Sequence, residues 1–391
     1  MRLSRQLTRF NQLCLILIML VYAVDNYIRD VFGSSSHLNV IKNGILLGVI
    51  VIFCLEFVLV YLHGGSRKTV FFTRELLCVC IIAATFAFVS VIYMCINSGR
   101  NPMLYDGLLR LLLPIITAFF IVNLMSVKSI NQMMIVGLVF MIFFYLMAYR
   151  DKLSLGNLLS IDWIASSSPF ESHMFSPPAI AFCIWFCYWR TNKLLMVLSV
   201  LFSIMTFKRF ILLFAIFICI FGGIIRKQGE APRWVRPTIG ILFLILSFFY
   251  VQLSFGVFDQ QFVQLFGIST DEWMMGRQTR LNAILNSGFT SQGFQSSLIS
   301  HVSCEMDLVQ YVIEMGWVSV TVFVICMLVL AGRKWYCLCI VLFCLIECLT
   351  SHWMDITYFW ILTYLTIGVI YRETSGIIPP NGSLAIEKMR L

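Results

Sequence analysis

The chain has 391 residues, 60% of them hydrophobic and 12% charged, with a mean hydropathy of +0.90. A soluble domain carries about a quarter charged residues, so this composition excludes a water-soluble multidomain protein. The formal charge of +9 follows from lysines and arginines that flank apolar runs, and it gives no case for a nucleic-acid partner.

Arg2, Arg5 and Arg9 precede an apolar run over 13–24, and no small-x-small cleavage site follows it. The run is therefore read as an uncleaved first span. Further apolar runs give about twelve candidate transmembrane helices: 12–28, 41–62, 75–96, 105–125, 131–149, 174–189, 194–207, 210–225, 237–254, 306–330, 335–350 and 356–371. A span takes about 20 residues, or at least about 17, so the sixth to eighth are short. The sequence thus predicts an all-α polytopic membrane protein with a single membrane domain over 1–371 and a tail over 372–391. Most of the 28 lysines and arginines face one side when both termini are placed in the cytoplasm. Two long loops, 150–176 and 254–305, then face outward. The other cysteines sit in or beside apolar runs, and Cys304 alone falls inside a long polar loop. Buried thiols are expected, with no disulfide framework.

Residues 269–316 carry the densest polar chemistry. Ser269 and Glu272 have capping-box spacing, and 270–286 reads as one surface helix with Trp273, Arg277, Arg280 and Ile284 on one face. Those arginines either bind a phosphate or snorkel to lipid headgroups. A helix over 301–316 would put His301 and Glu305 one turn apart, with Asp307, Gln310 and Glu314 on another face. Acidic groups entering a span are either functional or helix caps. Lys208 and Arg209 join two spans on the outer side, against the positive-inside trend. Arg110 lies inside the fourth span, with Asp106 at i−4 as a structural partner. Glu171 and His173 in the first long loop, and His352 with Asp355 in a short turn, read as plain loop residues.

The residues Thr206-Phe207-Lys208-Arg209, Gly276-Arg277 and the run His301…Glu305-Met306-Asp307…Glu314-Met315-Gly316, set among many short spans and a large outer loop, resemble the bacterial O-antigen polymerase and ligase group. The layout covers nearly the whole chain and the motifs about forty residues. The resemblance implies a membrane glycosyltransferase of GT-C-like architecture in the bacterial inner membrane, with its active site facing the periplasm. The substrates would be undecaprenyl-pyrophosphate-linked oligosaccharides, with no metal and no other cofactor. No Asp-x-Asp motif occurs to suggest a metal. Besides its lipid-linked substrates and membrane lipids, such a protein has room for a chain-length regulator protein as partner.

The Gly-x-Gly usual before the outer-loop histidine is reduced here to Gly293. The His-Asn pair usual in ligases is replaced by Glu305-Met306. The second departure favours a repeat-unit polymerase (Wzy-type) over a ligase. On this reading Arg277, Arg280, Arg209, Lys208 and Arg110 hold the donor pyrophosphate, since arginine offers a permanent forked charge. Glu305 is the preferred base, then His301, then Asp307, with desolvation near the membrane tuning the carboxylate. The alternatives are a ligase to lipid A-core, a lipid-linked oligosaccharide flippase and a lipid-binding scaffold. Against the flippase, the sequence shows neither repeated halves nor an evident broken helix.

Overall fold

The computed structural model describes residues 2–33, 36–63, 70–152, 156, 170–300 and 304–374. His301, Asp162, Trp163 and the tail beyond Thr374 lie outside the described residues. Among those described the backbone is helical with connecting turns, plus one isolated bridge between Glu230 and Lys334. The helices are α1 (Arg2–Phe32), α2 (Ser36–His63), α3 (Thr73–Ile96), α4 (Leu104–Leu124), α5 (Val127–Tyr149), α6 (Ser176–Trp189), α7 (Lys193–Met205), α8 (Arg209–Gln228), α9 (Val235–Ser254), α10 (Asp259–Phe266), α11 (Thr270–Trp273), α12 (Arg277–Asn286), α13 (Asp307–Ala331), α14 (Trp335–Thr350) and α15 (Thr357–Thr374).

Each expected span has a helix at its position. Among the described residues eight helices, α1 to α5, α8, α9 and α13, are long and apolar enough to cross a membrane. That is fewer than the twelve crossings expected. The residues of α6, α7 and α14 number 14, 13 and 16. At 1.5 Å per residue α7 is about 20 Å long, against a hydrocarbon core of about 30 Å. Local chemistry sets these limits. Pro177 and Pro178 open α6, where a missing N–H does no harm, and Arg190 closes it in a left-handed conformation at φ 51°. Asn192 caps α7 by accepting from the amides of Leu194 and Leu195 at 2.9 and 3.3 Å. By contrast α8 is longer than expected, at 20 residues. Arg226 and Lys227 form its last turn, where cations suit the helix dipole.

The chain divides into two compact units. The first comprises Met1–Thr73, Leu113–Lys227 and Tyr358–Leu391. Its centre is α6, in which Phe182, Cys183, Ile184 and Trp185 are all buried. There α1 packs on α5, and a Cβ on Gly137 would come within 2.8 Å of Met19 Sδ. The Arg372 guanidinium donates to the Val122 and Met125 carbonyls, both at 2.6 Å, and so closes the end of α4.

The second unit comprises Arg74–Leu112 and Gln228–Thr357. It holds α3, the first turns of α4, and α9 to α14. Here α9 and α14 both pack on α13. Apolar side chains facing lipid are as well placed as those facing a neighbouring helix. The polar contacts therefore carry most of the specificity of this unit.

Candidate functional site

The site is built where α13 begins. Cys304 and Met306 are fully buried, which pins the chain on both sides of Glu305. Glu305 takes a left-handed φ of 56°, and Met306 is extended at φ −141° and ψ 94°. Side chains two apart along such a path diverge from those of a helix. Glu305 pairs with Arg280, while Asp307 pairs with His352. The expected helix over 301–316 therefore starts only at Asp307, and a one-turn spacing between His301 and Glu305 does not follow.

Asp307 is 1% exposed. Its Oδ2 accepts from the amides of Trp353 and Met354 at 2.6 and 2.8 Å. Its Oδ1 lies 2.5 Å from His352 Nδ1. It thus caps the turn after α14 rather than its own helix. His352 Nε2 lies 3.2 Å from Asp355 Oδ2. That oxygen also accepts from Arg110 Nη1 at 2.8 Å, and Oδ1 accepts from Gln295 Nε2 at 2.8 Å. Arg110 Nη2 pairs with Asp106. The result is a chain of alternating charge, Asp106–Arg110–Asp355–His352–Asp307. Its side chains run from 40% exposed at Asp106 to 1% at Asp307.

Neighbouring charges set the electrostatics of His352 and Asp355 in this chain. Burial alone pulls the imidazole of His352 down, but Asp307 and Asp355 more than offset it and hold the ring well above its ordinary value of 6.5. Burial likewise pushes Asp355 up, yet His352 and Arg110 win and hold its carboxyl well below the usual carboxylate range. The two carboxylates thus favour the imidazolium form of His352, each of whose nitrogens faces one of them.

Beside this chain the segment from Ser291 to Ser297 reaches the third turn of α13, at Glu314. Glu314, fully buried, accepts from the amides of Gln295 and Ser297, the Ser297 hydroxyl and Gln310 Nε2, at 2.7 to 2.9 Å. Glu314 lies about 10 Å along α13 from Asp307. Phe294 donates its amide to Ser90 Oγ of α3 at 2.8 Å, and its ring packs on Phe86 and Tyr311. Non-helical backbone at such depth is tolerated only where protein satisfies it, and these donors and acceptors do so. Gly293 is required here: a Cβ would sit 2.3 Å from Ser90 Cα, and its φ is +89°.

Two residues after Glu314, α13 is broken at Gly316, with φ 75° and ψ 174°. Carbonyls freed by the break are taken up by hydroxyls, Glu314 O by Ser291 and Met315 O by Ser319. No broken helix is evident in the sequence, and the structure corrects that reading. Gln310 Oε1 and the Tyr311 hydroxyl, both buried, have no hydrogen-bond partner among the described residues.

The expected surface helix over 270–286 is two helices. Ser269 caps the first by accepting from Glu272 N at 3.1 Å. The chain then turns through left-handed Met275 and Gly276, so Trp273 and Arg277 do not share one helix. Asp271 bridges the break, accepting from Thr279 N and Oγ1 at 2.9 and 2.6 Å. Leu281 and Ile284 of α12 pack with Val251 of α9, with Met306 just before α13 and with Val309 of α13. This fixes Arg277 and Arg280, three residues apart, at the start of α13. The Nε of Arg277 is buried with no hydrogen-bond partner among the described residues.

Of the residues singled out in the sequence, Arg277, Arg280, Glu305, Asp307 and Arg110 all fall in this second unit. Arg110 is already neutralised by two carboxylates. Glu305 is 45% exposed, without the desolvation expected of it. Lys208 and Arg209 belong to the first unit, at the α7–α8 turn. That turn bends at Phe207, φ 53°, and its Met205 carbonyl accepts from the Tyr145 hydroxyl at 2.5 Å. His352, Asp355 and Gln295 were missed. Their signal was a His-x-x-Asp pair between two apolar runs, read as a solvated turn because its partners lie far away in sequence. Comparisons with protein-family models, with curated proteins and with solved structures give no match for this chain.

Proposed function

We propose that the protein is a repeat-unit polysaccharide polymerase acting on undecaprenyl-pyrophosphate-linked oligosaccharides at the periplasmic face of the bacterial inner membrane. The observation that carries this reading is the placement of Arg277 and Arg280 three residues apart on α12, with Arg280 paired to the carboxylate of Glu305. Two forked cations suit a pyrophosphate, and a neighbouring carboxylate suits an acceptor hydroxyl. In the reaction an acceptor sugar hydroxyl attacks the anomeric carbon of the donor. The bond from that carbon to the pyrophosphate oxygen breaks, and undecaprenyl pyrophosphate leaves with the electron pair. Arg277 and Arg280 stabilise the charge that develops on it, and Glu305 takes the hydroxyl proton.

Asp307 is too enclosed to be the base. It positions His352, which with Arg110 fixes Asp355 and, through Gln295, the inserted segment. Arg110 thereby moves from pyrophosphate ligand to positioning residue. The test is polymer length in cells carrying Arg277→Ala or Arg277→Lys at equal protein level. The proposal expects Arg277→Ala to leave single repeat units and Arg277→Lys to restore part of the polymer. Normal polymer from Arg277→Ala would sink it.

One observation favours a second reading, a lipid-linked oligosaccharide flippase. A break in the middle of a span with a buried carboxylate beside it is typical of transporters, and Gly316 with Glu314 provides one. Purified protein in liposomes separates the two readings: a polymerase joins lipid-linked sugars, and a flippase moves them without forming a bond.

A further inference from the structure

Glu305 stands in an unusual place. It is a non-glycine residue at φ 56°, a conformation that is held only where its surroundings impose it. Its neighbours Cys304 and Met306 are fully buried, yet its own side chain is 45% exposed and lies on Arg280, itself 48% exposed. The backbone is anchored so that the carboxylate reaches the guanidinium. One turn before Arg280, Arg277 keeps a buried Nε with no partner among the described residues. Both arginines ride on a helix fixed by Asp271 at one end and by Leu281 and Ile284 along its inner face.

We propose that the Arg280–Glu305 ion pair is an anion latch. In the resting protein the Glu305 carboxylate occupies the place that a pyrophosphate oxygen takes in the loaded one. This rests on the reading that Arg277 and Arg280 hold a pyrophosphate, and it adds an order of events. Donor binding displaces Glu305 from Arg280, and only then does the carboxylate become available to an acceptor hydroxyl. The charges allow it. An exposed single pair is weak, whereas pyrophosphate brings more than one negative charge and can engage both arginines. A base that is sequestered until the donor arrives also protects the donor from water.

The latch makes an unusual prediction: removing the carboxylate should strengthen anion binding. Inorganic pyrophosphate is titrated calorimetrically into purified full-length protein in detergent at physiological ionic strength. Glu305→Gln is expected to bind it about two- to five-fold more tightly than wild type, the worth of an exposed pair. Glu305→Asp, a shorter side chain, should fall between them. Glu230→Gln makes the same charge change beside Lys334, just past the far end of α13 and about 35 Å along it from Glu305, and is expected to match wild type, since charges beyond about 8 Å are screened. Equal affinity in wild type and Glu305→Gln overturns the latch, as does an equal rise in Glu230→Gln. Wild-type affinity in both Arg277→Ala and Arg280→Ala instead overturns the pyrophosphate site itself. Glycerol phosphate, run in parallel, should bind more weakly than pyrophosphate. Equal binding would assign the arginines to lipid headgroups and overturn the latch as a donor device.

Discussion

His352 is held between two carboxylates, and each of its nitrogens meets one of them at 2.5 and 3.2 Å. Its imidazole is raised well above 6.5. A base whose folded value exceeds its unfolded value contributes stability that is complete below the unfolded value and is lost as pH rises through the folded one. Asp355 is depressed below its ordinary 3.8, so its contribution is present above that value and is lost only in acid. Thermal unfolding in detergent should therefore show a loss of stability from about pH 6.5 upward, and His352→Asn should lack this alkaline slope. A wild-type slope in His352→Asn would show that the imidazolium is not the cause. Asp355→Asn leaves Arg110 and His352 facing a neutral amide. Breaking a mostly buried pair costs about 3 kcal/mol or more, so a clear fall in melting temperature is expected. Asp355→Asn as stable as wild type would contradict the network. None of this was legible in the sequence beyond the presence of His352 and Asp355. Their partner Asp307 lies 45 residues before His352, and Arg110 lies 245 before Asp355.

The inserted segment and α13 depend on two glycines with different demands. Gly316, at φ 75° and ψ 174°, occupies a region of backbone space almost closed to other residues. Alanine there should cost about 1–3 kcal/mol. Gly293 combines a left-handed φ with direct contact on Ser90, so Gly293→Ala must push α3 away. Gly276 is also left-handed, but nothing lies within 4 Å of where its Cβ would be. Its alanine variant should lose only about 1 kcal/mol. The expected order of melting temperatures is wild type, then Gly276→Ala, with Gly293→Ala the lowest of the three. Similar values for the two variants would refute close packing of the segment on α3. The Ser269 cap was readable because it is local. The break at Gly276 and the one at Gly316 were not, because a glycine in an apolar or helical run fits a continuous helix equally well until its neighbours are known.

Across the molecule, apolar periodicity located the spanning helices because each run is long and is bounded by charge or proline. It did not settle which helices cross a membrane, since α6, α7 and α14 are short, and α6 and α14 are buried among protein neighbours. The fold alone does not separate a transferase from a flippase; bond formation does. The most direct measurement is the product of purified protein reconstituted in liposomes with undecaprenyl-pyrophosphate-linked repeat units. The account predicts longer lipid-linked oligosaccharides with one undecaprenyl pyrophosphate released per bond formed. The rate should fall about a hundredfold or more in Arg277→Ala, the usual loss when a group stabilising transition-state charge is removed. Movement of the repeat unit across the bilayer with no new glycosidic bond would contradict it.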